Sequence, residues 1–134
     1  MERRATFALV PEAPSQARAV VTRELEPVSA KVREDATLLV SELITNAVRH
    51  ALGAGIPEVE LRIRLDPGRI RVVVSDPGAG FEPAPRLPTA AEGSGWGLYL
   101  VDRIADRWGV LSKDRNEVWF EIDVGHGLAV RGSR

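Results

Sequence analysis

The chain has 134 residues, 44% hydrophobic and 28% charged, with no cysteine and a formal net charge of −1. That length suits one domain able to bury a two-layer core around a nucleotide-sized pocket, and the absence of cysteine removes disulfides and thiolate metal sites. Interspersed charge gives no footprint for direct nucleic-acid binding and no polybasic membrane patch; with no apolar run of membrane-spanning length and no signal peptide at Met1-Glu2-Arg3-Arg4, the expectation is a cytoplasmic protein.

Thr6, Phe7, Ala8, Leu9 and Val10 read as a short first strand stopped by Pro11 and Pro14. Ser15 is a good helix N-cap, and Ala17, Val20, Val21 and Leu25 follow helical spacing, so a first helix is expected from Ser15 to about Glu26, before Pro27. A second begins near Ser29 to Lys31 and continues through Ala36, Leu39, Leu43 and Ala47 to Leu52, where Gly53-Ala54-Gly55 ends it. On this helix Glu42, Asn46 and the pair Arg49/His50 share a polar stripe, and Val40, Leu43, Ala47 and Ala51 an apolar one. Glu-x-x-x-Asn alone is more often a solvated face than a site, so its meaning depends on the motifs later in the chain.

After Pro57 the period changes from helical to alternating. Val59, Leu61, Ile63 and Leu65 alternate with Glu58, Glu60, Arg62 and Arg64, Asp66-Pro67-Gly68-Arg69 makes a turn, and Ile70, Val72 and Val74 return as the second strand of a hairpin. Val73, on the opposite parity, implies that the other face of this strand is partly covered too. The strand runs into Ser75-Asp76-Pro77-Gly78-Ala79-Gly80-Phe81, and Glu82 to Gly93 reads as a long Pro- and Ala-rich loop. Gly93-Ser94-Gly95-Trp96-Gly97 then opens an amphipathic helix carrying Leu98, Leu100, Val101, Ile104 and Ala105. Two further strands are expected at Arg107 to Ser112 and Glu117 to Val124, joined by a polar turn at Lys113 to Asn116; residues 125–134 form a polar, flexible tail.

Three pieces therefore stand in order, each with a use if the ligand is a nucleotide. An aspartate at a strand end, Asp76, can accept a hydrogen bond from the exocyclic amine of adenine, while Gly78 and Gly80 let the ring lie against backbone. The turn at Gly93, Gly95 and Gly97 points backbone N–H groups at phosphates, reinforced by the N-terminal end of the helix that it opens. Asn46 can give its carbonyl oxygen to Mg²⁺, and Glu42, one turn back, can orient or deprotonate an attacking hydroxyl. A P-loop is excluded by the lack of Gly-x-x-x-x-Gly-Lys-Ser/Thr, and a dinucleotide fingerprint by Leu98 standing where its last glycine belongs.

At these residues the sequence resembles the GHKL ATPase/kinase superfamily and, within it, the anti-sigma-factor serine/threonine kinases. The resemblance lies in Glu42, Asn46 and His50 for the N-box, Asp76, Gly78 and Gly80 for the G1 box, and Gly95-Trp96-Gly97-Leu98 for the G2 region. It covers about residues 6–124 and implies one histidine-kinase-like ATPase domain of the Bergerat fold. This is an α/β (α+β) two-layer sandwich, with helices on one face of a mixed, mostly antiparallel sheet and ATP with Mg²⁺ between helices and lid. Glu42 would be the catalytic base, Asn46 the metal ligand, and His50, Asp76, Gly78, Gly80, Gly93, Ser94, Gly95, Trp96, Gly97 and Leu98 would line the nucleotide site.

The departures keep alternatives open. Arg115-Asn116 stands where the family often has Gly-Thr, and Asn116 can still hydrogen-bond near the adenine. Trp96 either packs over the nucleotide or fills the core, and His50 either touches phosphate or caps its helix end. Gly93 stands where some relatives carry an arginine that steadies the γ-phosphate. The resemblance implies a protein serine kinase that sequesters a sigma factor and phosphorylates an anti-anti-sigma (STAS-type) protein, with pairing into a homodimer plausible. A non-catalytic module, in which ATP sets the shape of a partner surface, is the competing function. A histidine kinase would need a phospho-accepting histidine on a dimerisation helix, and the chain's histidines are His50 and His126.

Overall fold

Helical spacing in three stretches and strict alternation in others sort the chain into two layers. The structure, a computed structural model, describes residues 2–51, 58–76, 96–112 and 116–125. Among these it contains strands β1 (Glu2–Ala8), β2 (Glu58–Asp66), β3 (Arg69–Asp76), β4 (Arg107–Ser112) and β5 (Asn116–Asp123), and helices α1 (Ala13–Glu24), α2 (Ala30–Ala51) and α3 (Trp96–Ile104). The strands form one sheet in the order β1-β2-β3-β5-β4. Every pairing among the described residues is antiparallel, and the expected sandwich of helices on a mostly antiparallel sheet is found.

Alternation decides which face meets the helices. Val59, Leu61 and Ile63 of β2, Ile70, Val72 and Val74 of β3, and Val118, Phe120 and Ile122 of β5 are buried together with Ala17 and Val21 of α1, Leu39, Val40 and Ile44 of α2, and Leu98 and Val101 of α3. The β2–β3 hairpin turns at Pro67-Gly68, where Gly68 takes a φ of +83°, a conformation most side chains avoid. Val73 is also buried, but on the other face, among Arg62, Arg71 and Trp119, as its parity implied.

Several boundaries differ from the sequence expectation. β1 runs over residues 2–8 rather than 6–10, because Glu2 to Ala8 pair residue by residue with Arg64 to Glu58 although their side chains are mostly exposed and carry no apolar period. Leu9 and Val10 already belong to the turn, where the Val10 N–H donates to the Ala8 carbonyl (2.9 Å). Helix α1 starts two residues before Ser15, with Glu12 at the N-cap position making no side-chain cap and Pro14 in the first turn, where a missing N–H costs nothing. The α2 start is as expected: Ser29 Oγ accepts from the Val32 N–H at 3.3 Å. Asn116 is the first residue of β5, not the end of a turn. The expected breaks at Gly53-Ala54-Gly55, the loop from Glu82 to Gly93 and the tail from His126 lie outside the described residues.

Candidate functional site

Helix α2 carries the first half of the candidate site. Leu39, Val40, Leu43, Ile44 and Ala47 are buried and hold the helix to the sheet, so the remaining stripe is placed by packing and not by its own polar groups. On that stripe Glu42 and Asn46, one turn apart, are half-buried, and Arg49 is exposed. Ser41, just before Glu42, accepts a hydrogen bond from Arg18 Nη1 (2.8 Å), which ties α1 to α2 at this level. The His50 backbone lies in α2; its side chain is outside the described residues.

The second half sits at the ends of two neighbouring strands. Asp76 ends β3 and Asn116 begins β5, and the two are register partners. They share the parity of Val74 and Val118, so both lie on the helix-facing side of the sheet. Asn116 Nδ2 donates to Asp76 Oδ1 at 3.3 Å; Asn116 is buried and Asp76 half-buried. Helix α2 packs on α3 and against β3 and β5, the two strands whose ends carry Asp76 and Asn116.

Of the other candidates, Trp96 and Gly97 open α3, and Leu98 is buried in the core. What Leu98 can offer an anion is its backbone N–H in the first turn of α3. The Trp96 side chain, and all of Gly78, Gly80, Gly93, Ser94 and Gly95, lie outside the described residues. No group of three or more His, Cys, Asp or Glu able to hold a metal occurs among the described residues.

A cluster of mutually bonded charges lies on the opposite face of the sheet. Glu121 of β5, buried there, accepts from Arg107 Nε (2.7 Å) and Arg71 Nη1 (2.9 Å), with Arg69 Nη1 at 3.6 Å. The hydrogen bond from Arg107 is the main reason the Glu121 carboxyl titrates below its ordinary range, against the opposing effect of burial. Arg107 also hydrogen-bonds Asp123, which lowers that carboxyl, and the Asp123 and Glu121 bonds together raise Arg107. Beside them Arg71 stacks on the Trp119 ring, 4.4 Å from its centroid. The indole lies on Gly109, where an added Cβ would come within 2.6 Å of Nε1. Sequence patterns give no sign of this cluster, because its members are far apart in the chain and only strand register assembles them.

The Asp76–Asn116 contact is within reach of the sequence. Asn116, Val118, Phe120 and Ile122 form one period-two stripe, and extending it by one step places Asn116 on the inward face of a strand.

Comparison with known proteins agrees with this architecture. A family model described as the histidine kinase-like ATPase domain matches residues 5–122. The serine-protein kinase RsbW of Bacillus licheniformis is 33% identical over an alignment of 106 positions that covers 69% of this chain and 59% of the relative, so the match spans rather more than half of that relative's length. With a match across nearly all the described secondary structure, the chain belongs to the histidine kinase-like ATPase domain family.

Proposed function

We propose that the protein binds ATP with Mg²⁺ and transfers the γ-phosphoryl group to a serine of a protein substrate. What supports this reading is that α2, with Glu42 and Asn46 half-buried on it, packs against β3 and β5, the strands at whose ends Asn116 hydrogen-bonds Asp76. In addition, the Bacillus licheniformis relative is named a serine-protein kinase. The donor set suits the ligand. Asp76 is an acceptor for a 6-amino purine, Asn46 a neutral oxygen for a hard cation, and Glu42 a carboxylate one turn away that can take a proton from an incoming hydroxyl.

Bound ATP·Mg²⁺ supplies the phosphoryl group and neutralises charge on it as it moves. The chain's own contribution is placement. Asp76 fixes the base, the first turn of α3 offers N–H groups to the phosphates, Asn46 helps hold the cation, and Glu42 orients the serine hydroxyl and accepts its proton. His50, Gly78, Gly80, Gly93, Ser94, Gly95, Trp96 and Gly97 complete the nucleotide site in this reading. One domain, about residues 6–124, performs the reaction in the cytoplasm, with an anti-anti-sigma protein as substrate and a sigma factor as the sequestered partner. No helix among the described residues is long and apolar enough to cross a membrane.

The test is calorimetric titration of ATP with Mg²⁺ into the wild type, Glu42→Ala and Asp76→Ala, followed by transfer of labelled phosphate to candidate partner proteins. Binding that survives Glu42→Ala, is lost in Asp76→Ala, and leads to serine labelling by the wild type alone supports the proposal. Binding without transfer to any partner moves the function to the non-catalytic module, and no binding by the wild type refutes the site.

A further inference from the structure

We infer that the outer face of the sheet, the one turned away from the helices, is a docking surface for a partner protein. It takes an extended segment in which one carboxylate side chain stands beside an apolar one. The inference is independent of the kinase reading, whose described residues lie on α2, on α3 and on the helix-facing side of the strands.

Strand register puts like charges side by side on this face. Arg64 of β2 stands directly opposite Arg71 of β3, and Arg4 of β1 opposite Arg62 of β2. Such pairs destabilise a sheet, and an anion set between them removes the repulsion. Arg64 Nε is bonded to Asp66 (3.0 Å) and Arg71 Nη1 to Glu121 (2.9 Å), but no carboxylate among the described residues bridges the two arginines. Arg62 is also short of acceptors. Its Nη2 reaches Glu117 at 3.3 Å, whereas its Nε is buried without a hydrogen-bond partner, a Glu60 oxygen standing 3.6 Å away.

These side chains line a concavity of about 270 Å³. Its lining sets Arg62, Arg64 and Arg71 against Glu2 and Glu117, a local excess of one positive charge. One carboxylate, held by the guanidinium groups, neutralises that excess, and a phosphate dianion overshoots it. The rest of the lining is apolar: Val73, Trp119 and, at the rim, Leu111, which is 53% exposed. Trp119 is held in place beforehand by Arg71, 4.4 Å from its ring centroid, and by its packing on Gly109, so a partner has little ordering cost to meet there. Fixed tryptophan and arginine are the residue types that anchor protein interfaces. The concavity is smaller than the sites of about 300–1,000 Å³ that enclose small molecules, and it suits one or two side chains of a chain laid across an open sheet. In an extended segment, residues two apart share a face, so an acidic and an aliphatic residue at that spacing meet the arginines and the apolar lining together.

The experiment titrates the ¹⁵N-labelled full chain with an acetylated, amidated peptide, Gln-Leu-Gln-Glu-Gln-Leu-Gln, and follows the Trp119 indole N–H and the Nε–H signals of Arg64 and Arg71 by NMR. The expected result is a saturable shift of these signals, with the Trp108 indole, bonded to Asp102 on the helix side, unmoved. The same peptide with glutamine in place of its glutamate should bind about tenfold more weakly, as should the original peptide to Arg64→Gln or Leu111→Ser. Both variants change exposed side chains, Arg64 being 51% exposed, so folding is not at risk. Thermal unfolding gives a readout that a structural arginine would not: Arg64→Gln should be no less stable than the wild type, because it relieves the repulsion with Arg71 and gives up only an exposed ion pair.

No shift at Trp119, equal binding of the two peptides, or binding unaffected by both variants overturns the inference. So does a Tm lowered by several degrees in Arg64→Gln, which would make the arginines structural partners. Inorganic phosphate that moves the same signals at the peptide's concentrations would make this a general anion site. A wild-type dimer in sedimentation that Leu111→Glu converts to monomer would give the face to a second copy of the chain. Either result also overturns the inference.

Discussion

Replacing Glu121 by glutamine removes one charge from the outer face of the sheet and almost no volume. In the native chain the Glu121 side chain is 9% exposed and takes two charge-assisted hydrogen bonds, from Arg107 Nε at 2.7 Å and Arg71 Nη1 at 2.9 Å. Glutamine retains one acceptor oxygen, so one of these bonds is lost and an NH₂ group then faces a guanidinium. A hydrogen bond to a charged group contributes about 1.5–3 kcal/mol, and since Arg71 and Arg107 are 31% and 43% exposed, solvent screening puts the loss at the low end, about 1.5–2 kcal/mol. For a chain of 134 residues that is a fall in Tm of about 5–9 °C.

The pH dependence of this effect has a definite sign. The folded carboxyl titrates below its unfolded value, so its contribution is fully present above the unfolded pKa of about 4.3 and is lost as pH falls through the folded value. Urea denaturation of wild type and Glu121→Gln should show a constant gap from about pH 6 to 8 that narrows by about pH 3.5. A variant as stable as the wild type at neutral pH, or a gap as wide in acid as at neutrality, would refute the argument.

Gly109→Ala places a Cβ 2.6 Å from Trp119 Nε1 and should push the indole out from beneath Arg71, costing about 1 kcal/mol and changing the near-UV circular dichroism; an unchanged spectrum would contradict the packing described. Leu61→Ala truncates a side chain with no exposed surface in the middle of the core and should cost about 2–5 kcal/mol in denaturant titrations. Glu42→Gln, in the proposed kinase, should lower the rate of phosphoryl transfer about 10²- to 10⁴-fold and leave ATP affinity near that of the wild type; parallel loss of both would remove Glu42 from the role of base.

Periodicity makes α2 and the β2–β3 hairpin legible in advance, because each buries one stripe or one face and exposes the other. It fails at β1, whose Glu2, Arg3 and Arg4 join the sheet through backbone pairing and carry no apolar period. It also fails at the start of α1, where packing of Ala13 and Ala17, both fully buried, outweighs the capping preference of Ser15. Local composition puts Asn116 in a turn because a polar residue beside Arg115 looks like a loop, whereas its partner Asp76, forty residues earlier, makes it part of a strand. Spacing along α2 proposes Glu42 and Asn46, but which strand ends α2 meets depends on the order β1-β2-β3-β5-β4, and no local pattern encodes that order.

That strand order also bears on how the chain assembles during synthesis. β1 is made before the strand it pairs with, and the residue it must lie beside at its end, Glu58 against Ala8, comes two whole helices later. At a translation rate of about 5–20 residues per second, β1 waits on the order of 3–10 s for its partner. Meanwhile α1 with α2, and then β2 with β3, can form from contacts between chain neighbours, which close faster than distant ones. The charged residues Glu2, Arg3 and Arg4 make the waiting segment a poor template for other chains. Phe7, the one buried side chain of β1, would then enter the core late, so that a strand made before its partner docks after the helices have packed.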